Sequence, residues 1–130
     1  MKLGFIDYYL DEWHANHYPT LLRELSGGEI EVAYAYAETD APNGLTTDAW
    51  CQKNNVQRVN SIAELVALAD GIIVLAPDNT ERHEELCRLP LQSGKRVYVD
   101  KTFAPDAATA ARLFRLCLLY TSPSPRDYAA

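Results

Sequence analysis

Several groups of side chains in this 130-residue chain have the types and spacing to do chemistry. Asp100 and Lys101 close a short apolar run at 96–99. A Lys acts as general acid or base when its neighbours shift its pKa; the plainer reading is a solvated cation paired with Asp100. Ala76, Pro77, Asp78 and Asn79 close a second apolar run, and His83 follows. That polar turn suits ligand contact, and it equally suits a helix start capped by Asp78 or Asn79. His83 equally suits a surface or partly buried place on that helix. Glu38 follows a third run, where an acid can bond vicinal hydroxyls. Asp11, Glu12, His14 and His17 are the one cluster with metal-ligand chemistry, and His14 and His17 can share a helix face. Acids are also favoured at a helix start without any metal, and no metal is assigned here. Tyr8, Tyr9 and Trp13 can stack on a ligand ring or pack the turn.

The elements that position these residues alternate. Residues 71–76 form an apolar run without a polar side chain, which suits a strand buried on both faces. Pro77 stops it, having no N–H for a ladder. Gly94 suits the end of a helix, and 96–99 reads as the next strand. Earlier, 2–6 and 30–37 read as strands and 56–59 as a short one. Helices are expected at 14–25, with Pro19 early in it, and at 47–54. Ser61 with Glu64 three residues later forms a capping box opening a helix near 62–68. A helix from about Thr80 is expected to end or kink at Pro90, and Pro105 opens a last one to about Leu116. This alternation predicts an α/β fold with a doubly wound parallel sheet. Ligands of such sheets bind outside the carboxyl ends of the strands. Those ends hold Ala76, Pro77, Asp78 and Asn79, and Asp100 and Lys101.

Composition narrows the function classes. One domain is expected from the length, and 48% hydrophobic residues support a sizeable core. The net charge of −6 argues against nonspecific binding to nucleic acid or an anionic membrane. No apolar run approaches a membrane span. Cys51, Cys87 and Cys117 are widely spaced, odd in number and without a metal-type pair, which points to a reducing compartment. Cys51 and Cys87 read as small buried hydrophobes. A cytoplasmic protein is expected.

Residues 117–127 break the helical pattern, and their Pro-Ser-Pro is linker-like. The string also resembles a translated sequencing adapter. On that reading 117–130 is a non-native or disordered tail, 1–116 is the domain, and the natural chain continues past an interruption near Leu116.

The segment from Asp70 to His83 resembles the fourth-strand segment of the Gfo/Idh/MocA oxidoreductases, with its apolar strand, Pro, polar turn and His. Gly94 to Thr102 resembles that family's Gly-Lys-x-Val-x-x-Glu-Lys-Pro signature, with Asp100 and Thr102 replacing its Glu and Pro. The resemblance covers about 1–116. It implies a Rossmann-like domain binding NAD or NADP, here truncated and lacking the C-terminal α/β substrate domain. It implies hydride transfer on a sugar, inositol or related polyol, with Lys101 near nicotinamide and substrate in proton transfer or carbonyl polarisation. It implies that Ala76, Pro77, Asp78 and Asn79 line the cofactor, with His83, Asp100 and Lys101 close by. Tyr8 and Tyr9 would lie on the first turn, and Glu38 would take the ribose hydroxyls. The fragment alone is expected to lack turnover; for the full-length protein a homo-oligomer is one expectation, its oligomeric state being open.

One feature of the first turn opposes this. A dinucleotide fingerprint needs glycines for a tight turn and for close approach of the pyrophosphate. Aligned without gaps, those positions hold Asp7, Tyr9 and Glu12. Their side chains narrow the space, and two carboxylates repel a pyrophosphate by as much as a helix N-terminus attracts it, typically under ~1 kcal/mol when exposed. The alternative is therefore a non-enzymatic Rossmann-like binding or sensor module that has lost its dinucleotide.

Overall fold

The structure, a computed structural model, describes residues 1–120. Five strands and five helices alternate along it: β1 (Lys2–Asp7), α1 (Trp13–Leu25), β2 (Glu31–Ala37), α2 (Thr47–Lys53), β3 (Gln57–Arg58), α3 (Ile62–Leu68), β4 (Gly71–Val74), α4 (His83–Gln92), β5 (Arg96–Val99) and α5 (Ala107–Tyr120). A 3-10 turn, Thr80–Arg82, leads into α4. All strands are parallel, in the order β3-β2-β1-β4-β5. This is the doubly wound sheet that the alternation predicts.

Each face of the sheet carries its own core, as a sheet covered by helices on both sides requires. Phe5, Ala35 and Ile73 pack with Ala15 of α1 and Trp50 of α2. Ile6, Ile72 and Val74 pack with Leu65 of α3, Leu86 of α4 and Leu113 of α5. Gly4 keeps α3 close, since a Cβ there would lie 2.6 Å from Leu65 Cδ2. Ser61 caps α3 by accepting from Glu64 N–H, and Glu64 reaches back to Asn60 N–H.

Four local expectations shift. Pro19 lies in the middle of α1, not its first turn, with its ring buried. Pro90 neither ends nor interrupts α4, which runs on to Gln92. It sits in the last turn with its ring buried, so one backbone bond is lost and apolar packing offsets it. The strand expected over 71–76 ends at Val74; Leu75 N–H still donates to Ile6 O at 2.7 Å, and Ala76 then takes a left-handed φ of 51°. α5 extends to Tyr120, past Leu116. The remainder of the expected tail, 121–130, lies outside the described residues.

Lys95, just before β5, reaches across to the end of α3. Its Nζ donates to the carbonyls of Val66 at 2.5 Å, Ala67 at 3.4 Å and Ala69 at 2.7 Å. A helix leaves its last carbonyls without partners, and a cation there is favoured. Lys95→Met, which keeps the apolar stem, is expected to lower stability by about 1 kcal/mol in urea unfolding. An unchanged midpoint would show that water serves those carbonyls equally well.

Candidate functional site

The strand order reverses between β1 and β4, so the ligand crevice of this topology lies outside their carboxyl ends. An apolar hollow of about 650 Å³ lies elsewhere. It lies at the amino end of the sheet, against Met1, Leu21, Leu25 and Tyr98. The crevice itself is walled by acids. Asp7 ends β1 and is 1% exposed. Its Oδ1 accepts from Tyr8 N–H at 2.8 Å and from Ala76 N–H at 2.9 Å, stapling β1 to the turn after β4. Its Oδ2 has no hydrogen-bond partner. Burial pushes the Asp7 carboxyl well above the usual range, and the charge of Glu12 adds to it.

Glu12 is the N-cap of α1. One of its oxygens accepts from Ala15 N–H, and Oε2 accepts from His14 N–H at 3.2 Å. These amides belong to the helix N-terminus that would otherwise attract a phosphate. The chain thus fills its own anion site with a carboxylate, in the turn where a fingerprint has glycines. His14 Nδ1 lies 3.0 Å from Glu12 Oε2, and its Nε2 lies 3.6 Å from Asp100 Oδ2. Asp100 is 1% exposed, and its Oδ1 accepts from Lys101 N–H at 3.0 Å. A line of groups, Asp7, Glu12, His14 and Asp100, therefore runs beneath the crevice from β1 to β5.

The four side chains with metal-ligand chemistry, Asp11, Glu12, His14 and His17, are not brought together in one site. Asp11 accepts from Asn16 Nδ2 and Leu45 N–H, and His17 stacks on Trp13 with Nδ1 2.6 Å from that residue's carbonyl. Among the described residues no group of three such side chains is placed to hold a metal ion.

The rim carries the rest. Tyr8, Tyr9, Pro77 and Asn79 are half-buried, and Asp78 and Lys101 are exposed. Tyr8 and Tyr9 meet edge to face, with ring centroids 6.0 Å apart. Burial, followed by the charges of Asp78, Asp7 and Glu12, pushes the Tyr9 phenol up. Asn79 precedes the 3-10 turn without capping it through its side chain. Lys101 is exposed past the end of β5, and among the described residues no ion pair joins it to Asp100. His83 lies beneath the turn, fully buried. Its Nε2 is 2.7 Å from Leu75 O and 3.1 Å from Ala76 O, and its Nδ1 is 2.9 Å from Phe103 O. Both ring nitrogens are thus turned to carbonyls of the two strand-end loops, and His83 positions those loops from below. Glu38 follows β2 and is held by Arg82, a residue with no signal of its own in the sequence. Cys51 and Cys87 are buried, their thiols pushed up to about 11 and about 12, so neither is a nucleophile at neutral pH.

No protein-family model and no curated protein matches the chain. Solved structures do. A dehydrogenase (MviM) from Clostridium difficile matches with a TM-score of 0.67 at 25% identity, over 90% of this chain and 35% of that one. The WlbA dehydrogenase from Bordetella pertussis, solved with NADH and UDP-GlcNAcA, matches at 0.69 and 15%, over 89% and 33%. KijD10, a 3-ketoreductase from Actinomadura kijaniata solved with NADP and TDP-benzene, matches at 0.66 and 20%, over 91% and 34%. The chain has the Rossmann fold. The fold implied by the sequence resemblance is thus the fold found. The chain spans about a third of their length. No described helix of this Rossmann domain is long and apolar enough to cross a membrane.

Proposed function

We propose that the chain is the N-terminal nucleotide-binding domain of a Gfo/Idh/MocA-like oxidoreductase that uses NAD or NADP. Its substrate class is a sugar, inositol or related polyol, with a sugar nucleotide as the form favoured by the UDP-GlcNAcA bound in WlbA. Lys101 carries this reading. It stands exposed past the end of β5, at the crevice of a fold that such dehydrogenases share. Bound NAD(P) supplies hydride transfer. Lys101 would hold or move the proton of the substrate oxygen, and the buried Asp100 would fix the backbone beneath it. Tyr8, Tyr9, Ala76, Pro77, Asp78 and Asn79 would line the nucleotide, and His83 would act through the loops it ties together. The domain is 1–116, and 117–130 is left out of this reading.

The ends of the crevice fit such a cofactor better than its centre does. Glu12 occupies the amides a pyrophosphate would use, and the unpartnered Asp7 Oδ2 lies in the same turn. That observation favours a second reading, a Rossmann-like binding or sensor module without a dinucleotide. Calorimetric titration of the chain with NADH and NADPH separates the two. Micromolar binding is the expected result. No binding to a chain that circular dichroism shows to be folded, with or without divalent cations, would leave only the second reading.

A further inference from the structure

Glu38 and Arg82 approach each other from opposite sides of the crevice. Glu38 follows β2, Arg82 closes the 3-10 turn after β4, and β1 runs between those two strands. They therefore meet above the exit of β1, beside Tyr8. Arg82 Nε donates to Glu38 Oε1 and Nη2 to Oε2, each at 2.9 Å. The pair is bidentate and about a third or less exposed, with side chains at 37% for Arg82 and 21% for Glu38. Both carboxylate oxygens are engaged, while Nη1 lies outside the fork.

An acid after the second strand of a Rossmann sheet ordinarily takes the two ribose hydroxyls and so favours NAD. Here that acid is already engaged by a guanidinium. Taking a ribose diol would exchange two charge-assisted bonds for two weaker hydroxyl bonds. A 2′-phosphate meets the opposite situation. Arg has five N–H donors in one plane, so it can keep Glu38 and still turn Nη1 and an edge to a phosphate.

Resting on the nucleotide-binding reading above, we propose that Arg82 selects the cofactor. It reads the 2′-phosphate of the adenosine ribose, so the domain prefers NADP(H) over NAD(H) although Glu38 stands in the ribose-acid position. The selecting cation comes from the turn after β4 and not from the loop after β2. This places adenosine recognition away from the turn that Glu12 fills. Glu38 limits the preference, because its charge opposes the incoming phosphate.

The test uses 5′-AMP and 2′,5′-ADP, which differ only in the 2′-phosphate, together with NADH and NADPH. Each is titrated calorimetrically into the full chain, into Arg82→Gln and into Glu38→Gln. The phosphorylated member of each pair should bind about tenfold more tightly to the unaltered chain, as one charge-assisted contact implies. Arg82→Gln should bring the members of each pair to within about twofold. Glu38→Gln should widen the preference. Equal binding of the members by the unaltered chain, or a preference that survives Arg82→Gln, overturns the proposal and leaves the nucleotide reading standing. Failure of all four ligands to bind the folded chain overturns both.

Discussion

Replacing Asp7 by Asn is expected to stabilise the chain at pH 7 by about 1–3 kcal/mol, the usual cost of a buried polar atom left without a partner. Asn keeps an oxygen for the N–H groups of Tyr8 and Ala76, which Asp7 Oδ1 accepts now. It places an amide donor where Oδ2 has no hydrogen-bond partner, next to the charge of Glu12. The pH dependence gives a second readout. Burial raises the folded-state pKa of Asp7 well above its ordinary value. The folded chain therefore holds a proton that the unfolded chain has already released. The stability this contributes is complete below the ordinary carboxylate range and is lost as pH climbs through the raised folded value. Asp11, Asp40, Glu84 and Asp106 are shifted the other way, chiefly by hydrogen bonds. Their contribution is present above the ordinary range and is lost on acidification below it. Thermal melts of the unaltered chain and of Asp7→Asn between about pH 5 and pH 8 isolate the Asp7 contribution by difference, because those four are ionised throughout that window and the three histidines are common to both chains. The melting temperature should fall with rising pH in the unaltered chain and stay flatter in Asp7→Asn. Parallel profiles, or a less stable variant, would mean that Asp7 is ionised in the folded chain without penalty.

The second large effect concerns Glu12. Glu12→Ser is expected to tighten NADPH binding roughly ten- to a hundredfold, the worth of freeing one or two backbone donors for a charged phosphate. Ser is a good N-cap, so α1 should still start at Trp13. It uses one amide and leaves the other to the ligand, and it removes the carboxylate that repels a pyrophosphate. Glu12→Gln is the matched control, since its amide oxygen still fills the site without a charge. A gain in Ser but not in Gln assigns the block to occupancy of the amides. A similar gain in both assigns it to charge. No gain in either, in a chain that binds NADPH, would place the pyrophosphate away from the N-terminus of α1.

The two variants probe one network from different ends. Asp7 is raised partly by Glu12, so Glu12→Ser should also flatten the pH profile of stability. Additivity is not expected for carboxylates whose charges act on each other.

Much of the architecture is local in origin and could be read from residue order alone. The polar-free run beginning at Gly71 marks a doubly covered strand because both of its faces are apolar. β5 occupies the 96–99 predicted for it, and Ser61 with Glu64 sets the start of α3 through bonds spanning a few residues. The absence of glycine at Asp7, Tyr9 and Glu12 announces an altered first turn. The form of that alteration was not legible. A strand-end Asp and an N-cap Glu look alike in sequence whether they face solvent or each other, and only burial against Ala76 and His14 separates the cases. Arg82 gives no hint of Glu38, because sheet order brings together residues far apart in the chain. His83 is likewise defined by three carbonyls on two loops. Periodicity and capping follow from neighbours along the chain. The charge state of the crevice follows from who lies across it, and that is set by the order β3-β2-β1-β4-β5.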